Sequence, residues 1–485
     1  MVHAKPVLLG VLSLFLLCLL SASIELVQCS SENKVILSLK EFQWKHNGGA
    51  PTCLSHKSRR LKGATILEMK HRDYCTEKKI TDWNKKLERR LILDDVHVRS
   101  LQSRRFRNRV SADESEAQIP LTSGVKLQTL NYIVTVELGG KNMSVIVDTG
   151  SDLTWVQCEP CKLCYNQPEP IFNPSSSPSY QSVLCNSSSC QSLEFATGNS
   201  GLCLGNPPTC NYAVTYGDGS YTRGDLGSEN LNLGASPAVK DFVFGCGRDN
   251  KGLFGGASGL MGLAKSDLSV VSQTSSVFGG IFSYCLPSTE TGASGSLVMG
   301  GDSSAYKNQT PISYTKMVPN QELPTFYFLN LTGVSVGGVG LFEASSTNSA
   351  NNKGGILIDS GTVITRLAPT IYKALKEEFL KQFSGYPRAP GFSILDTCFD
   401  LSGYQEVNIP TLTMHFDGDA EMKIDVTGIL YMVKTDASQV CLALASLSYD
   451  DEFGIIGNYQ QKNQRVIYDI KDSKLGFAGE TCRFE

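Results

Sequence analysis

Two short stretches of this chain present a carboxyl group in the same way. VIVDTGSDLT spans residues 145–154, and ILIDSGTVIT spans residues 356–365. In each, three apolar residues lead into an acid, Asp148 or Asp359, followed by a hydroxyl residue, a glycine and a second hydroxyl residue. A buried strand that ends in Asp and turns tightly behind it delivers one carboxyl group to a fixed place. Gly150 and Gly361 allow the turn where a Cβ would clash. The hydroxyls of Thr149, Ser151, Ser360 and Thr362 can hydrogen-bond the carboxylates and hold them in plane. If the two loops meet, two like charges so close cannot both ionise cheaply, and the pair shares one proton. One member then takes a proton from water while the other protonates a carbonyl, so hydrolysis needs no metal, cofactor or covalent intermediate. The pair titrates as a unit, and the proton is assigned to neither residue.

One Asp-Ser/Thr-Gly triplet would read as an ordinary turn after a strand. Requiring three apolar residues ahead makes the pattern a chance event on the order of 0.01 per chain, and here it occurs twice. Each copy also has an apolar-apolar-Gly partner downstream, Leu260-Met261-Gly262 and Ile455-Ile456-Gly457. A repeated strand–loop–strand core implies two lobes.

The elements that must position these loops are mostly β. Residues 131–138 and 143–147 flank Gly139-Gly140 as a hairpin signature. Further strands are expected at 297–299, 327–331 and 466–470, with a helix at 369–383. Upstream, residues 76–108 read as an amphipathic helix with Ile80, Trp83, Leu87 and Leu91 inward and Lys85, Lys86, Arg89 and Arg90 on the wet side. The polar stretch 111–118 reads as an exposed linker where a proteolytic cut would be tolerated.

These motifs resemble the pepsin-like aspartic proteases, and within them the plant nepenthesin-like branch, over residues 125–485. The resemblance implies a bilobal, mostly β fold with a Cys-rich insertion in the N-terminal lobe and Asp148 and Asp359 as the catalytic pair. It implies that Tyr216, Gly217 and Asp218 belong to a flap hairpin over bound substrate, with Trp155 hydrogen-bonding the flap tyrosine. It places the insertion at residues 158–210 and suggests the pairings Cys285 with Cys482 and Cys398 with Cys441. The substrate would be an extended peptide with bulky apolar side chains flanking the cut bond. A catalytically silent binding protein of the same fold is the rival reading, but both loops and the flap tyrosine are intact.

Net charge is −3 for 485 residues, which gives no global reason to expect nucleic acid as a partner. That figure hides a split. Residues 31–110 hold 20 Lys/Arg against 9 Asp/Glu, a net of +11, whereas residues 111–485 carry a net of −14. Such asymmetry marks either a polyanion-binding arm or two parts that attract each other. By resemblance, residues 30–122 are a basic pro-segment lying across the lobes at 123–305 and 306–485 and blocking the cleft. Acid would weaken that attraction and permit self-cleavage. A nucleic-acid arm and a solvated basic linker are the alternatives.

Residues 1–29 read as a signal peptide, with Lys5 ahead of an apolar run too short to span a membrane comfortably. A secreted chain without a later membrane span follows, extracellular in the apoplast or cell wall, with vacuole or ER as other destinations. Twelve of the 16 cysteines lie between residues 158 and 482, namely Cys158, Cys161, Cys164, Cys185, Cys190, Cys203, Cys210, Cys246, Cys285, Cys398, Cys441 and Cys482. On a secretory route these are expected to form disulfides. The spacing of Cys158, Cys161 and Cys164 also leaves open an iron–sulfur or zinc site, although Pro168 stands where the cluster pattern needs its fourth cysteine. Sequons at Asn142, Asn186, Asn308 and Asn330 fit the same route. Nothing suggests an oligomer, so a monomer is expected.

Overall fold

The computed structural model describes residues 33–39, 57–71, 83–107 and 132–484, apart from 217–218, 235, 253, 289–293, 302, 307–309 and 344–354. The signal-peptide stretch, the linker 111–118, Gly217, Asp218 and Asn308 lie outside the described residues.

The chain is mostly β. Tyr132–Leu138 and Lys141–Asp148 form the expected hairpin, with Leu138 opposite Lys141 and both turn glycines at positive φ. The second strand is buried from Met143 through Asp148, because Met143, Val145 and Val147 pack into one core cluster on one face and Ile146 into another on the opposite face. Gly259–Gly262 runs parallel to it, pairing Gly262 with Asp148, and also lies antiparallel to Trp155–Gln157. Trp155–Gln157 in turn runs parallel to part of Val239–Lys251.

The second lobe repeats this plan. Ile356–Ile358 pairs in parallel with Ile455–Ile456, Thr365–Leu367 in parallel with Leu444–Ser446, and Arg366 lies antiparallel to Ile455. The sequence repeat is therefore a repeat of topology. The downstream glycines have a steric cause: a Cβ on Gly262 would lie 2.2 Å from the Asp152 carbonyl oxygen, and one on Gly457 2.4 Å from that of Val363. The helix Pro369–Gln382 packs Tyr372, Leu375 and Phe379 inward.

An antiparallel sheet joins the lobes. Its order is Ser58–Leu61, Ala64–His71, Gly295–Met299, Ile281–Cys285, Gln464–Asp469, Lys474–Gly479 and Ser313–Val318. Two of these strands come from the basic N-terminal segment. Ala64–His71 also continues onto Tyr132–Leu138. Lys34–Ser38 is zipped onto Glu406–Pro410 on the far lobe.

The helix Trp83–Arg107 buries Leu87 and Leu91 against Val363, Ile364, Leu395 and Tyr431, and Val98 and Leu101 against Leu323, Phe326, Leu357 and Phe453. Each such burial contributes roughly 1.5–3 kcal/mol relative to exposure. Lys85 and Arg89 are exposed as the periodicity predicts. Arg90, expected on the wet side, is instead 1% exposed. It stands beside the fully buried Leu91, so the cover at this turn is wider than one apolar stripe and takes in the charged head as well as the stem.

All twelve cysteines between residues 158 and 482 are paired: Cys158–Cys246, Cys161–Cys164, Cys185–Cys203, Cys190–Cys210, Cys285–Cys482 and Cys398–Cys441. The run 158–164 therefore consists of bridge partners rather than cluster or zinc ligands. Of the sequons described, Asn142 and Asn186 are exposed, while the Asn330 amide donates to both Asp417 carboxylate oxygens at 2.9 and 3.0 Å. No described helix is long and apolar enough to cross a membrane.

Candidate active site

The two acidic loops meet across the lobes. Ser151 Oγ and Thr362 Oγ1 each donate to the Oδ2 of their own loop's aspartate at 2.7 Å, Asp148 and Asp359 respectively. The backbone N–H groups of Gly150 and Gly361 each donate to the corresponding Oδ1 at 2.9 Å. A Cβ built on Gly150 would stand 2.8 Å from Asp359 Oδ1, and one on Gly361 would stand 2.7 Å from Asp148 Oδ1. Each glycine thus makes room for the opposite lobe's carboxylate, and the two Oδ1 atoms face the same space.

Thr149 and Ser360 do something the sequence reading did not assign. Neither hydroxyl holds a carboxylate. The Thr149 N–H donates to Ser360 Oγ at 3.1 Å and the Ser360 N–H donates to Thr149 Oγ1 at 2.9 Å, a reciprocal cross-link between the lobes. The remaining repeat position is also explained: Thr154 Oγ1 accepts from the Gly262 N–H at 3.2 Å and Thr365 Oγ1 from the Gly457 N–H at 3.0 Å.

The strands Thr209–Thr215 and Tyr221–Asn232 form a hairpin whose tip is closed by the Tyr216 N–H donating to the Ser220 carbonyl at 2.7 Å. Trp155 Nε1 donates to Tyr216 Oη at 2.7 Å, and Phe254 packs edge-on against both rings. This braces Tyr216 from beneath the hairpin.

The helix Trp83–Arg107 also enters the site. His97 Nε2 lies 3.2 Å from Asp359 Oδ2, with His97 22% exposed and Asp359 fully buried. One turn earlier, Asp94 accepts from the N–H groups of Val363 at 2.5 Å and Ile364 at 3.1 Å, and pairs with Arg366 at 2.9 Å. Gln102 donates to the Phe453 carbonyl at 2.7 Å. The acid in the Asp94–Arg366 pair belongs to the helix and the base to the lobe, the reverse of the overall charge split.

These neighbours push the two carboxyls apart. Burial raises the Asp148 pKa, and the nearby Asp359 charge raises it further against the Ser151 hydrogen bond. Burial would raise Asp359 too, but the His97 hydrogen bond and charge, with help from Thr362 and Gly361, bring it below the ordinary carboxylate value. Burial would lower His97, and Asp359, Asp148 and Asp94 together outweigh it and raise the imidazole. The arrangement thus sets an imidazole whose pKa is raised against a carboxyl whose pKa is lowered, beside a second carboxyl whose pKa is raised.

Asp94 and His97 were missing from the sequence reading. A signal existed: positions 87, 91, 94, 98 and 101 repeat every three or four residues, so an acid stands in the middle of an apolar stripe. An acid there must find a buried partner, but its identity is set by residues more than 260 positions away.

The families described as "Xylanase inhibitor N-terminal" and "Xylanase inhibitor C-terminal" match residues 132–301 and 326–479. An aspartyl protease family protein of Arabidopsis thaliana is 44% identical over 398 residues, covering 81% of each chain. Aspartic proteinase nepenthesin-1 of Nepenthes gracilis is 36% identical, covering 76% of this chain and 82% of that one. Basic 7S globulin from soybean superposes with a TM-score of 0.58 at 20% identity over 74% of this chain and 96% of its own, a likeness of fold. The chain belongs to the pepsin-like aspartic proteases, in their plant nepenthesin-like branch, and is an aspartic-type endopeptidase.

Proposed function

We propose that this endopeptidase is made as a secreted zymogen and cleaves extended peptides at acid pH through Asp148 and Asp359. Residues 1–29 are its signal peptide, 30–122 its pro-segment, and 123–305 and 306–485 its catalytic lobes. The observation that carries the reading is the pair of carboxyls whose inner oxygens face one space while His97 sits on one of them.

With the helix gone, a water between the two Oδ1 atoms loses a proton to one carboxylate as its oxygen attacks the scissile carbonyl carbon. The other carboxyl protonates the carbonyl oxygen, giving a tetrahedral diol. Collapse breaks the C–N bond as the dyad's proton passes to the amine, while a diol hydroxyl gives its proton back as the new carboxyl C=O forms, so the dyad again shares one proton. Ser151 and Thr362 hold the outer oxygens, so the inner ones stay aimed at the water. The Thr149–Ser360 cross-link fixes the separation of the loops. Tyr216, with Gly217 and Asp218, closes over the peptide.

With the helix in place, His97 and Asp94 occupy the ground beside Asp359, so the precursor is silent. Asp359 keeps the latch charged above its depressed pKa, and the latch is lost as pH falls through that value. The route through an oxidising compartment fits the six bridges.

The test is cleavage of a denatured protein by secreted material over about pH 3–7, with and without pepstatin, beside an Asp148→Ala variant. Acid-optimal cleavage that pepstatin blocks and Asp148→Ala abolishes is the expected result. Failure of the fully processed chain to cleave would instead favour a binding role for the same cleft.

A further inference from the structure

The Asp94 carboxylate occupies a site built for it on the catalytic lobe. It receives two backbone N–H groups, Val363 and Ile364, and one guanidinium, Arg366. Asp94 is 0% and Arg366 1% exposed. The guanidinium does not depend on Asp94 for its orientation, because its Nη1 donates to the Ile364 carbonyl at 2.8 Å. The residues that supply the two N–H groups, Val363 and Ile364, themselves pack in an apolar cluster with Tyr431 and the helix's own Leu91.

When the helix leaves, two convergent N–H groups and a fixed cation remain beside the dyad loop. A buried cation stripped of its partner is costly, so the cradle favours whatever anion enters. Asp94 stands one turn from His97, about 4.5 Å along the helix axis. An extended peptide advances about 3.3 Å per residue. For a peptide that follows the helix's track, a side chain reaching this cradle belongs to a residue one or two positions from the scissile bond.

We propose that Arg366, with the Val363 and Ile364 N–H groups, is a specificity determinant that accepts an acidic side chain of the substrate, Asp or Glu, close to the cut bond. In the precursor Asp94 stands in for that side chain. The inference rests on the zymogen reading, because the cradle is vacated only when the helix leaves.

The test uses the full chain processed by its own acid activation, assayed at about pH 5, above the ordinary Glu value of about 4.3. Peptides identical except for Glu or Gln are compared at each of the two positions on either side of the cut bond. At one position the Glu peptide is expected to show kcat/KM at least about tenfold higher, the scale of a charge-assisted hydrogen-bonded pair. Arg366→Met should bring that ratio to about one, and Arg366→Lys should retain part of it. A ratio near one at every position in the wild type, or a ratio that survives Arg366→Met, overturns the proposal. The wild-type comparison decides even if a variant fails to fold. Should neither peptide be cut, the zymogen reading fails separately. Binding of the same Glu and Gln peptides to the processed chain then decides the cradle, with equal affinity counting against it.

Discussion

Replacing His97 by Ala tests whether the helix silences the dyad through that one ring. The contact is a 3.2 Å hydrogen bond to a fully buried carboxylate from a ring that is 22% exposed. A hydrogen bond to a charged group contributes roughly 1.5–3 kcal/mol, and the partial exposure argues for the lower end. The full cost of a stranded buried charge does not apply, since Asp359 keeps its bonds from Thr362 and Gly361 and can share a proton with Asp148. About 1.5–2 kcal/mol raises the open fraction of the precursor roughly 10- to 30-fold. The Leu87, Leu91, Val98 and Leu101 contacts still seat the helix, so the protein remains folded. The assay is binding of a fluorescent pepstatin derivative to the uncut precursor across pH. In the wild type, binding should strengthen as pH falls through the depressed Asp359 value, where the pair loses its anion, and again as pH rises through the raised His97 value, where it loses its cation. His97→Ala should bind about tenfold or more tightly between those limits and lose the alkaline limb. His97→Lys should keep the precursor closed and move that limb upward. If His97→Ala binds no better than wild type and keeps both limbs, the latch does not run through this ring.

Gly361→Ala should abolish measurable proteolysis, a loss of at least about 100-fold, because its methyl would stand 2.7 Å from Asp148 Oδ1; kcat of the processed variant, with circular dichroism as the folding control, reads this out. Trp155→Phe removes the 2.7 Å hydrogen bond to Tyr216 while keeping an aromatic under the hairpin. A fall of about 5- to 10-fold in kcat/KM is expected with little change in stability, measured by steady-state kinetics beside thermal unfolding. Replacing Cys285 and Cys482 by serine opens a bridge with a sequence separation of 197. The chain-entropy model gives about 5 kcal/mol lost, to be checked by denaturant unfolding against the parent protein under non-reducing conditions.

The acidic loops were legible because their information is local. Three apolar residues specify a buried strand, the glycine admits the facing carboxylate, and a hydroxyl three residues beyond the acid can reach back to it. The repeat of that pattern at 148 and 359 implied two lobes before any pairing was known. The roles of Thr149 and Ser360 were not legible, because from one loop alone their hydroxyls have only their own aspartate as a visible partner. The opposite loop, 211 positions away, supplies a better one. The same holds for Arg90, which the helical period assigned to water and which the lobe beneath the helix buries.

By itself, the sequence determined the two matching acidic loops, the lobe-forming repeat, the mostly β texture and the abundance of bridge-forming cysteines, since composition and near-neighbour periodicity carry those. Only the tertiary structure decided the four pairings among residues 158–246, beyond the Cys285–Cys482 and Cys398–Cys441 bridges that the family resemblance had suggested, that residues 57–71 join the sheet between the lobes, and that Asp94 and His97 lie against the second acidic loop. Those outcomes depend on backbone and side chains brought together across hundreds of residues. A buried acid or imidazole in a helix stripe announces that it needs a partner, and the fold chooses which one.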